Sequence, residues 1–197
     1  MRGVVLSLAV TAMTAMVAVA APTPEVRPVV TAMIGVDGNP CGWLLSERGD
    51  GCKRLARHSE PGFTADVYQA GSRRGIRRVV LVVTAGGQRM ASPGIDLLGE
   101  ACDDRTSDGG CVTLDTARPS VQAVAIDGRA GVMLRLVSTF ARSKASKFQT
   151  ESLIGCAPTA GGPWKCSTLD LGSCAASVGS DGQVETSCGT RASLSLR

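Results

Sequence analysis

The chain has 197 residues, 44% of them hydrophobic, and a formal net charge of +4 from 21 basic and 17 acidic side chains. A charge excess this small does not indicate nucleic acid or a membrane surface as a partner. Arginines outnumber lysines by seventeen to four, which together with the Ala and Gly content suggests a GC-rich bacterial genome.

The first twenty residues are predicted to be a cleaved signal peptide. A positive residue precedes a small, apolar, uncharged run, and Ala18-Val19-Ala20 supplies an A-x-A cleavage site. An uncleaved membrane anchor is the alternative, but no basic stop follows the run, and no later stretch approaches membrane-spanning length. We expect an exported chain, periplasmic or extracellular, with an extended leader over residues 21–28.

Strand patterns dominate the first half of the remaining chain. Residues 29–36 have the β-branched content of a strand and end at the turn signal of residues 37–40. Residues 63–68 alternate between apolar and polar, which predicts a half-buried strand. Five consecutive aliphatic residues, 79–83, predict a strand that is buried on both faces.

Turn residues predict how several of these strands are joined. Gly86-Gly87 signals a two-residue hairpin that sets Thr84 opposite Arg89. Ser92–Gly99 is the one segment where we predict a short helical turn. Asp127-Gly128 predicts another hairpin, between residues 121–126 and 132–137.

The basic, small-residue connector at residues 141–147 is the best candidate boundary in the chain. We predict a main β domain over residues 29–145 and a disulfide-stapled hairpin region over residues 146–197, packed on the main domain or continuous with it. About 177 residues follow the leader, enough for a proper core. Residues 191–197 alternate as a closing strand.

Eight cysteines follow the predicted cleavage site, and an even number in an exported chain indicates four disulfides. Their spacing favours pairing in sequence order, which predicts the bonds Cys41–Cys52, Cys102–Cys111, Cys156–Cys166 and Cys174–Cys188. Zinc is disfavoured because the chain has no C-x-x-C motif and a single histidine.

The best-defined hairpin is the one that turns at Ser180-Asp181-Gly182. A three-residue loop with Gly182 in the left-handed conformation sets Val178 opposite Val184 and Cys174 opposite Cys188. The register gives one apolar and one polar face and brings the two cysteines within disulfide reach. A second stapled hairpin is centred on Gly161, with Pro163 in its turn.

Many short strands, 24 glycines and closely spaced turn signals predict an all-β fold. We expect an antiparallel β-sandwich or partly open barrel with disulfide-stapled hairpins.

His58 is the only histidine and so the first candidate for a catalytic base. The chain has no G-x-S-x-G motif, and we favour a surface histidine near a turn. Only six aromatic residues are present, which disfavours a glycosidase and a carbohydrate-binding site.

Two charged clusters are weaker candidates for ligand sites. Asp103, Asp104 and Asp108 offer oxygens for calcium, but their spacing is not that of an EF-hand, and a solvated acidic loop is the preferred interpretation. A cluster of four arginines is a possible anion patch, although gatekeeping of the adjacent apolar strand is the simpler role. These arginines are Arg73, Arg74, Arg77 and Arg78.

We expect a non-catalytic binding or structural protein without a cofactor, and an inhibitor would be one version of it. Its expected partner is an unknown protein or envelope component. The alternative is a secreted hydrolase with a site around His58. We expect no nucleic-acid partner and no membrane span after cleavage.

Intact-mass measurement of the exported protein tests both the leader and the cysteine framework. We expect a chain that begins at Ala21 and gains eight alkyl groups only after reduction, because four disulfides block every thiol. Retained leader mass, or fewer than four disulfides, would contradict the prediction.

Overall fold

The computed structural model describes residues 27–45, 49–72, 76–98, 100–102, 111–141 and 146–197. The strands are β1 (Val29–Ala32), β2 (Ile34–Gly35), β3 (Gly49–Glu60), β4 (Phe63–Ser72), β5 (Ile76–Ala85), β6 (Gln88–Ala91), β7 (Ile95–Leu98), β8 (Glu100–Cys102), β9 (Cys111–Ile126), β10 (Arg129–Ala141), β11 (Lys147–Pro158), β12 (Trp164–Gly172), β13 (Ala176–Val178), β14 (Gln183–Thr186) and β15 (Arg191–Ser193). The described residues contain one helix, α1 (Pro40–Leu45).

The described strands form three antiparallel sheets, so the all-β prediction is confirmed. The central sheet has the order β1-β12-β11-β10-β9-β8. The front sheet has the order β2-β6-β5-β4-β3, with β7 also paired to β5. The back sheet is β13-β14-β15. The sheets are layered as a sandwich and do not close into a barrel.

The main core lies between the front and central sheets. Leu81 of β5, Leu134 of β10 and Ile154 of β11 are all fully buried there. At one end of this core Phe63 and Trp164 meet edge to face, with ring centroids 5.4 Å apart. Val79–Val83 are at most 2% exposed, so the prediction of a strand buried on both faces is confirmed.

A second core lies between the central and back sheets. Met133 and Leu153 project from the far face of the central sheet towards Leu194, which follows β15. Gly155 permits this contact, because an added Cβ would lie 2.9 Å from Leu194 Cδ1. Leu194 and Leu196 remain buried beyond the end of β15, so the predicted alternation of the closing segment is confirmed.

Residues 29–36 join the two large sheets at one corner of the sandwich. The backbone N–H of Met33 donates to Trp164 O at 3.0 Å, on β12, whereas that of Val36 donates to Arg89 O at 2.9 Å, on β6. Odd and even residues of a strand direct their backbone groups to opposite sides, so β12 and β6 flank the same extended segment. The predicted single strand is therefore two strands, shared between two sheets.

The predicted hairpin registers are confirmed. Thr84 lies opposite Arg89 across the Gly86-Gly87 turn, in which both glycines have positive φ. Asp127 and Gly128, with φ of 49° and 75°, join β9 to β10 as a type I′ turn requires.

The predicted helical turn at Ser92–Gly99 is wrong, because Ile95–Leu98 form β7 on the edge of β5. Ser92 explains why the chain stays on this edge. Its N–H donates to Leu81 O at 2.8 Å, and its hydroxyl accepts from the Leu81 N–H at 3.1 Å. Ser92 thus pairs with Leu81 as a ladder residue does, with its hydroxyl in place of its backbone carbonyl, and the strand resumes at Ile95.

Three of the predicted disulfides are present: Cys41–Cys52, Cys156–Cys166 and Cys174–Cys188. The backbone register sets Cys102 opposite Cys111, but their side chains lie outside the described part of the structure. The hairpin at residues 180–182 has the predicted register, with Val178 opposite Val184, and Gly182 has a φ of 79°. Three intramolecular disulfides suggest an oxidising, exported environment.

The predicted domain boundary falls between two neighbouring strands of the central sheet. β10 and β11 pair from Val132 opposite Cys156 to Ala141 opposite Lys147. Residues 29–145 and 146–197 therefore contribute adjacent strands to one sheet. The predicted signal peptide lies outside the described residues, among which no helix has the length and apolarity to cross a membrane.

A buried carboxylate fastens the back sheet to the central sheet. Glu151 is 5% exposed, and its Oε1 lies 2.7 Å from Arg135 Nε on β10. Its Oε2 accepts from Arg135 Nη2 at 2.9 Å and from the Ala176 N–H of β13 at 3.3 Å. One side chain therefore pairs with a half-buried cation of the central sheet and accepts from a backbone donor of another sheet.

We predict that Glu151→Ala lowers the free energy of unfolding by about 1–3 kcal/mol, because it leaves the Ala176 N–H without its acceptor and removes the partner of the partly exposed Arg135 guanidinium. Glu185→Ala on β14 is the control, since Glu185 is 72% exposed and makes only a 3.9 Å contact to Arg191. Equal chemical denaturation curves for the two variants would contradict the role of Glu151.

Candidate binding cleft

Two turns that are distant in sequence meet at the corner where β2 pairs with β6. One turn links β2 to α1, and the other is the β5–β6 hairpin turn. Between them lies an open cleft of about 570 Å³, lined by residues 35–38, Thr84 and residues 87–90. The described residues thus contain a concavity of the size that small ligands or short peptide segments occupy.

The wall at residues 36–42 is fixed by hydrogen bonds and a disulfide. Arg89 accepts the Val36 N–H at its carbonyl and donates from Nη1 to the Gly38 carbonyl. Asn39 Oδ1 accepts the Cys41 N–H at 3.0 Å, which starts α1 as an N-cap does. Cys41 is then bonded to Cys52 on β3. The turn is held from both ends.

Three glycines leave the cleft lined with bare backbone. An added Cβ at Gly35, Gly38 or Gly87 would meet no atom within 4 Å. Gly38 and Gly87 have φ of 73° and 77°, a conformation that requires glycine. Gly35 does not have a positive φ, so other residues could adopt its backbone conformation. The absence of a side chain at Gly35 leaves room in the cleft.

The residues that line the cleft can form mainly uncharged hydrogen bonds. Val36 directs its N–H to β6, so the N–H and C=O of Gly35 point away from β6, to the side on which β12 flanks the segment. Thr84 and Gln88 add a hydroxyl and a carboxamide, and the exposed Asp37 and Arg89 add opposite charges. None of the described lining residues is aromatic. The cleft suits a polar, extended chain better than a sugar ring.

His58, the candidate base, lies on β3 at the other edge of the front sheet. Its Nε2 is 2.9 Å from Glu60 Oε1, and its side chain is 26% exposed. Within the described residues no serine hydrogen-bonds to it. The hydrolase hypothesis stays a prediction.

Half of the predicted anion patch lies outside the described residues, because Arg73 and Arg74 are not among them. Arg77 and Arg78 lie on opposite faces of β5, Arg77 on the face of Val79 but exposed at the start of the strand. Arg78 binds Asp96 through Nε and Nη2 at 2.6 and 2.9 Å. This pairing lowers the pKa of Asp96, chiefly through the hydrogen bond from Arg78. The anion patch stays a prediction.

The predicted calcium ligands Asp103, Asp104 and Asp108 also lie outside the described residues. In the part of the chain that the structure describes, no three metal-ligating side chains gather into a group. Asp115, which follows the acidic loop, pairs with Lys147 Nζ at 2.7 Å.

The sequence signalled both turns of the cleft but not their proximity. Residues 37–40 and Gly86-Gly87 were each predicted as turns. Their meeting depends on β2 pairing with β6, which no local pattern indicates. The uncharged run at residues 28–36 is the one hint, since it allows the segment to lie between two sheets.

The chain matches no protein-family model, and neither the curated proteins nor the solved structures give a match. The residues and their geometry therefore carry the functional argument.

We predict that Asp96→Asn removes a pH-dependent part of the stability. The pKa of Asp96 is lowered in the folded state, so its stabilisation is complete above the ordinary value of 3.8 and is lost as the pH falls through the lower folded value. The pair is half exposed, so the loss at neutral pH is at most about 1 kcal/mol. A difference from wild type that persists at pH 2 in thermal melts would contradict this.

Proposed function

We propose that the protein is an exported, non-catalytic binding protein, periplasmic or extracellular, that holds an extended peptide segment of another secreted or envelope protein in the cleft between its β2–α1 and β5–β6 turns. The observation that carries the proposal is the cleft of about 570 Å³ with bare backbone on both walls.

Rigidity of the cleft supports a role in recognition. The two walls share hydrogen bonds through Arg89, and the Cys41–Cys52 bond anchors the far side of the first turn. A site that is ordered before its ligand arrives loses little conformational entropy on binding. This is the behaviour expected of stapled loops that present a fixed surface, as inhibitors do.

The choice of a peptide as ligand follows from the backbone groups of the cleft. The bare backbone at Gly35, Gly38 and Gly87 lets the main chain of an extended peptide approach closely. Thr84 and Gln88 add hydrogen bonds that do not depend on charge. Carbohydrate ligands usually stack on aromatic rings, which the described lining lacks.

Export is supported by the sequence and by the disulfides. The A-x-A site after an apolar run indicates a signal peptide, and three disulfides are stable only outside a reducing cytosol. The high arginine share supports a bacterial source.

A hydrolase that uses His58 is the second candidate, because Glu60 lies 2.9 Å from Nε2 and is placed to orient the imidazole. Labelling of the exported protein with a fluorophosphonate tests it. Labelling that His58→Ala abolishes would favour the hydrolase, and unlabelled protein would count against it.

We predict that Gly35→Leu abolishes partner capture without unfolding the protein, because the new side chain enters open space in the cleft at an unstrained φ. Tagged wild-type protein and the variant are incubated with the envelope and secreted fractions of the source organism. Bound proteins are then quantified by mass spectrometry.

Gln122→Leu, an exposed change on β9 of the central sheet, is the matched control for added apolar surface. We expect it to retain the partner, whereas Gly35→Leu loses at least about nine-tenths of the recovered partner, a cost of 1.4 kcal/mol or more. A partner recovered equally by wild type and Gly35→Leu would refute binding in this cleft.

A further inference from the structure

The three observed disulfides differ sharply in their access to solvent. Cys156 and Cys166 are fully buried in the main core, where no reagent reaches them in the folded state. Cys41 and Cys52 are both half-buried. Cys174 is half-buried, but Cys188 is exposed. Cys188 is thus the most exposed residue of the three bonds, and a thiolate in solution approaches Cys174–Cys188 most directly from its side.

This exposed bond closes the least supported hairpin of the described fold. β13 and β14 have three and four residues, and β13 pairs with β14 alone. The ends of the hairpin are joined by the Ser187 N–H to the Ala175 carbonyl at 2.8 Å and by the Ala175 N–H to Ser187 Oγ at 3.0 Å. The disulfide adds to these bonds, to the three-residue ladder of β13 with β14 and to the Gly179 N–H bond to the Gln183 carbonyl in holding the outer strand in register.

The Cys174–Cys188 bond also holds β13 next to the buried Glu151 carboxylate, which accepts one of its backbone hydrogen bonds. Ala176, two residues after Cys174, donates its N–H to Glu151. A cavity of about 40 Å³ is lined by Cys174, Glu151 and Val137, among others. It gives the sulfur of Cys174 room to turn away once the bond is broken.

We propose that Cys174–Cys188 is a thiol–disulfide exchange site for a dithiol reductant and that its reduction releases β13 from the central sheet. A thiolate of the dithiol attacks Cys188 Sγ, forms a mixed disulfide and expels the Cys174 thiolate. The second thiol of the reductant then attacks the reductant's first sulfur, which is bonded to Cys188 Sγ, and expels the Cys188 thiolate. The dithiol loses two electrons and becomes a disulfide, and its two protons end on Cys174 and Cys188.

Release of β13 changes the surface of the protein on the side away from the binding cleft. Ala176 packs in the second core, with Val178 against it, and both cover apolar residues of the central sheet such as Leu171. Once the hairpin opens, these residues become accessible. The site is independent of the proposed peptide cleft, because it lies on the opposite sheet.

Graded reduction of the full exported chain tests the order in which the bonds open. Samples are treated with increasing dithiothreitol, trapped with an alkylating reagent and mapped by mass spectrometry. Cys156–Cys166 is a matched control because the two bonds close loops of similar length. Its cysteines are 10 residues apart, and those of Cys174–Cys188 are 14 residues apart. We expect the exposed bond to be half reduced at a dithiothreitol concentration at least about tenfold lower than the buried one. Simultaneous reduction, or earlier reduction of Cys156–Cys166 or Cys41–Cys52, would overturn the proposal.

Hydrogen exchange reports the structural consequence. In the selectively reduced protein, amides of residues 175–178 should exchange at least about tenfold faster, because the loop constraint on the unfolded hairpin is gone. Amides of β5 should be unchanged. Equal exchange at residues 175–178 before and after reduction would contradict release of β13.

Two further measurements keep the proposal open to refutation if reduction is difficult to stop at one bond. The monothiol glutathione should be trapped on Cys188, and an adduct on Cys174 instead would refute attack at the exposed sulfur. The double variant Cys174→Ser/Cys188→Ser should show the same fast exchange at residues 175–178 without any reductant. Cys41→Ser/Cys52→Ser, the control, should leave exchange at those residues unchanged.

Discussion

The fold depends on a central sheet that is apolar on both faces and must be covered on both. Consecutive residues of β10 point to opposite faces, and Val132, Met133 and Leu134 are all at most 1% exposed. A sheet of this kind cannot face water on either side, because each exposed large side chain costs about 1.5–3 kcal/mol. The front sheet covers one face, and the short back sheet covers the other.

The buried contacts and the cleft follow from how the front and back sheets are attached to the central sheet. The back sheet is too small to form a core of its own, so a disulfide, the Glu151 carboxylate and the hydrogen bonds of Asp127 to Ser195 and Leu196 hold it in place. The front sheet is attached through the strand shared at residues 29–36. That sharing brings two turns together and so creates the cleft. The cleft is therefore a by-product of closing one corner of the sandwich.

The opposite edge of the front sheet, at β3, is protected against the addition of another strand. β3 carries Lys53, Arg54 and Arg57, and its pairing with β4 is interrupted by two register shifts. Charges and bulges of this kind discourage the addition of another strand. The segment at β1 and β2 has no charge, and Val29 and Ile34 are 66% and 56% exposed. The contrast favours the β2 corner as the place where another chain docks.

Local chemistry in the sequence predicts the elements well and their long-range arrangement poorly. Turn glycines and strict alternation determine a hairpin register, so the pairings around Gly86-Gly87 and Asp181 were predictable. The pattern of residues 92–99 predicts a helical turn where β7 lies, because a serine hydroxyl that takes the place of a backbone carbonyl has no sequence signature. The cleft was missed because the pairing of β2 with β6 joins segments some fifty residues apart, and periodicity carries no information on such partners.

Residue-resolved hydrogen exchange of the oxidised protein tests whether the central sheet is covered on both faces. If both covers are in place, the amides of residues 132–136 exchange only through global unfolding and are among the slowest in the chain. If exchange at these residues is as fast as at exposed hairpin turns, one face of the sheet is open to water, and the three-layer account is wrong.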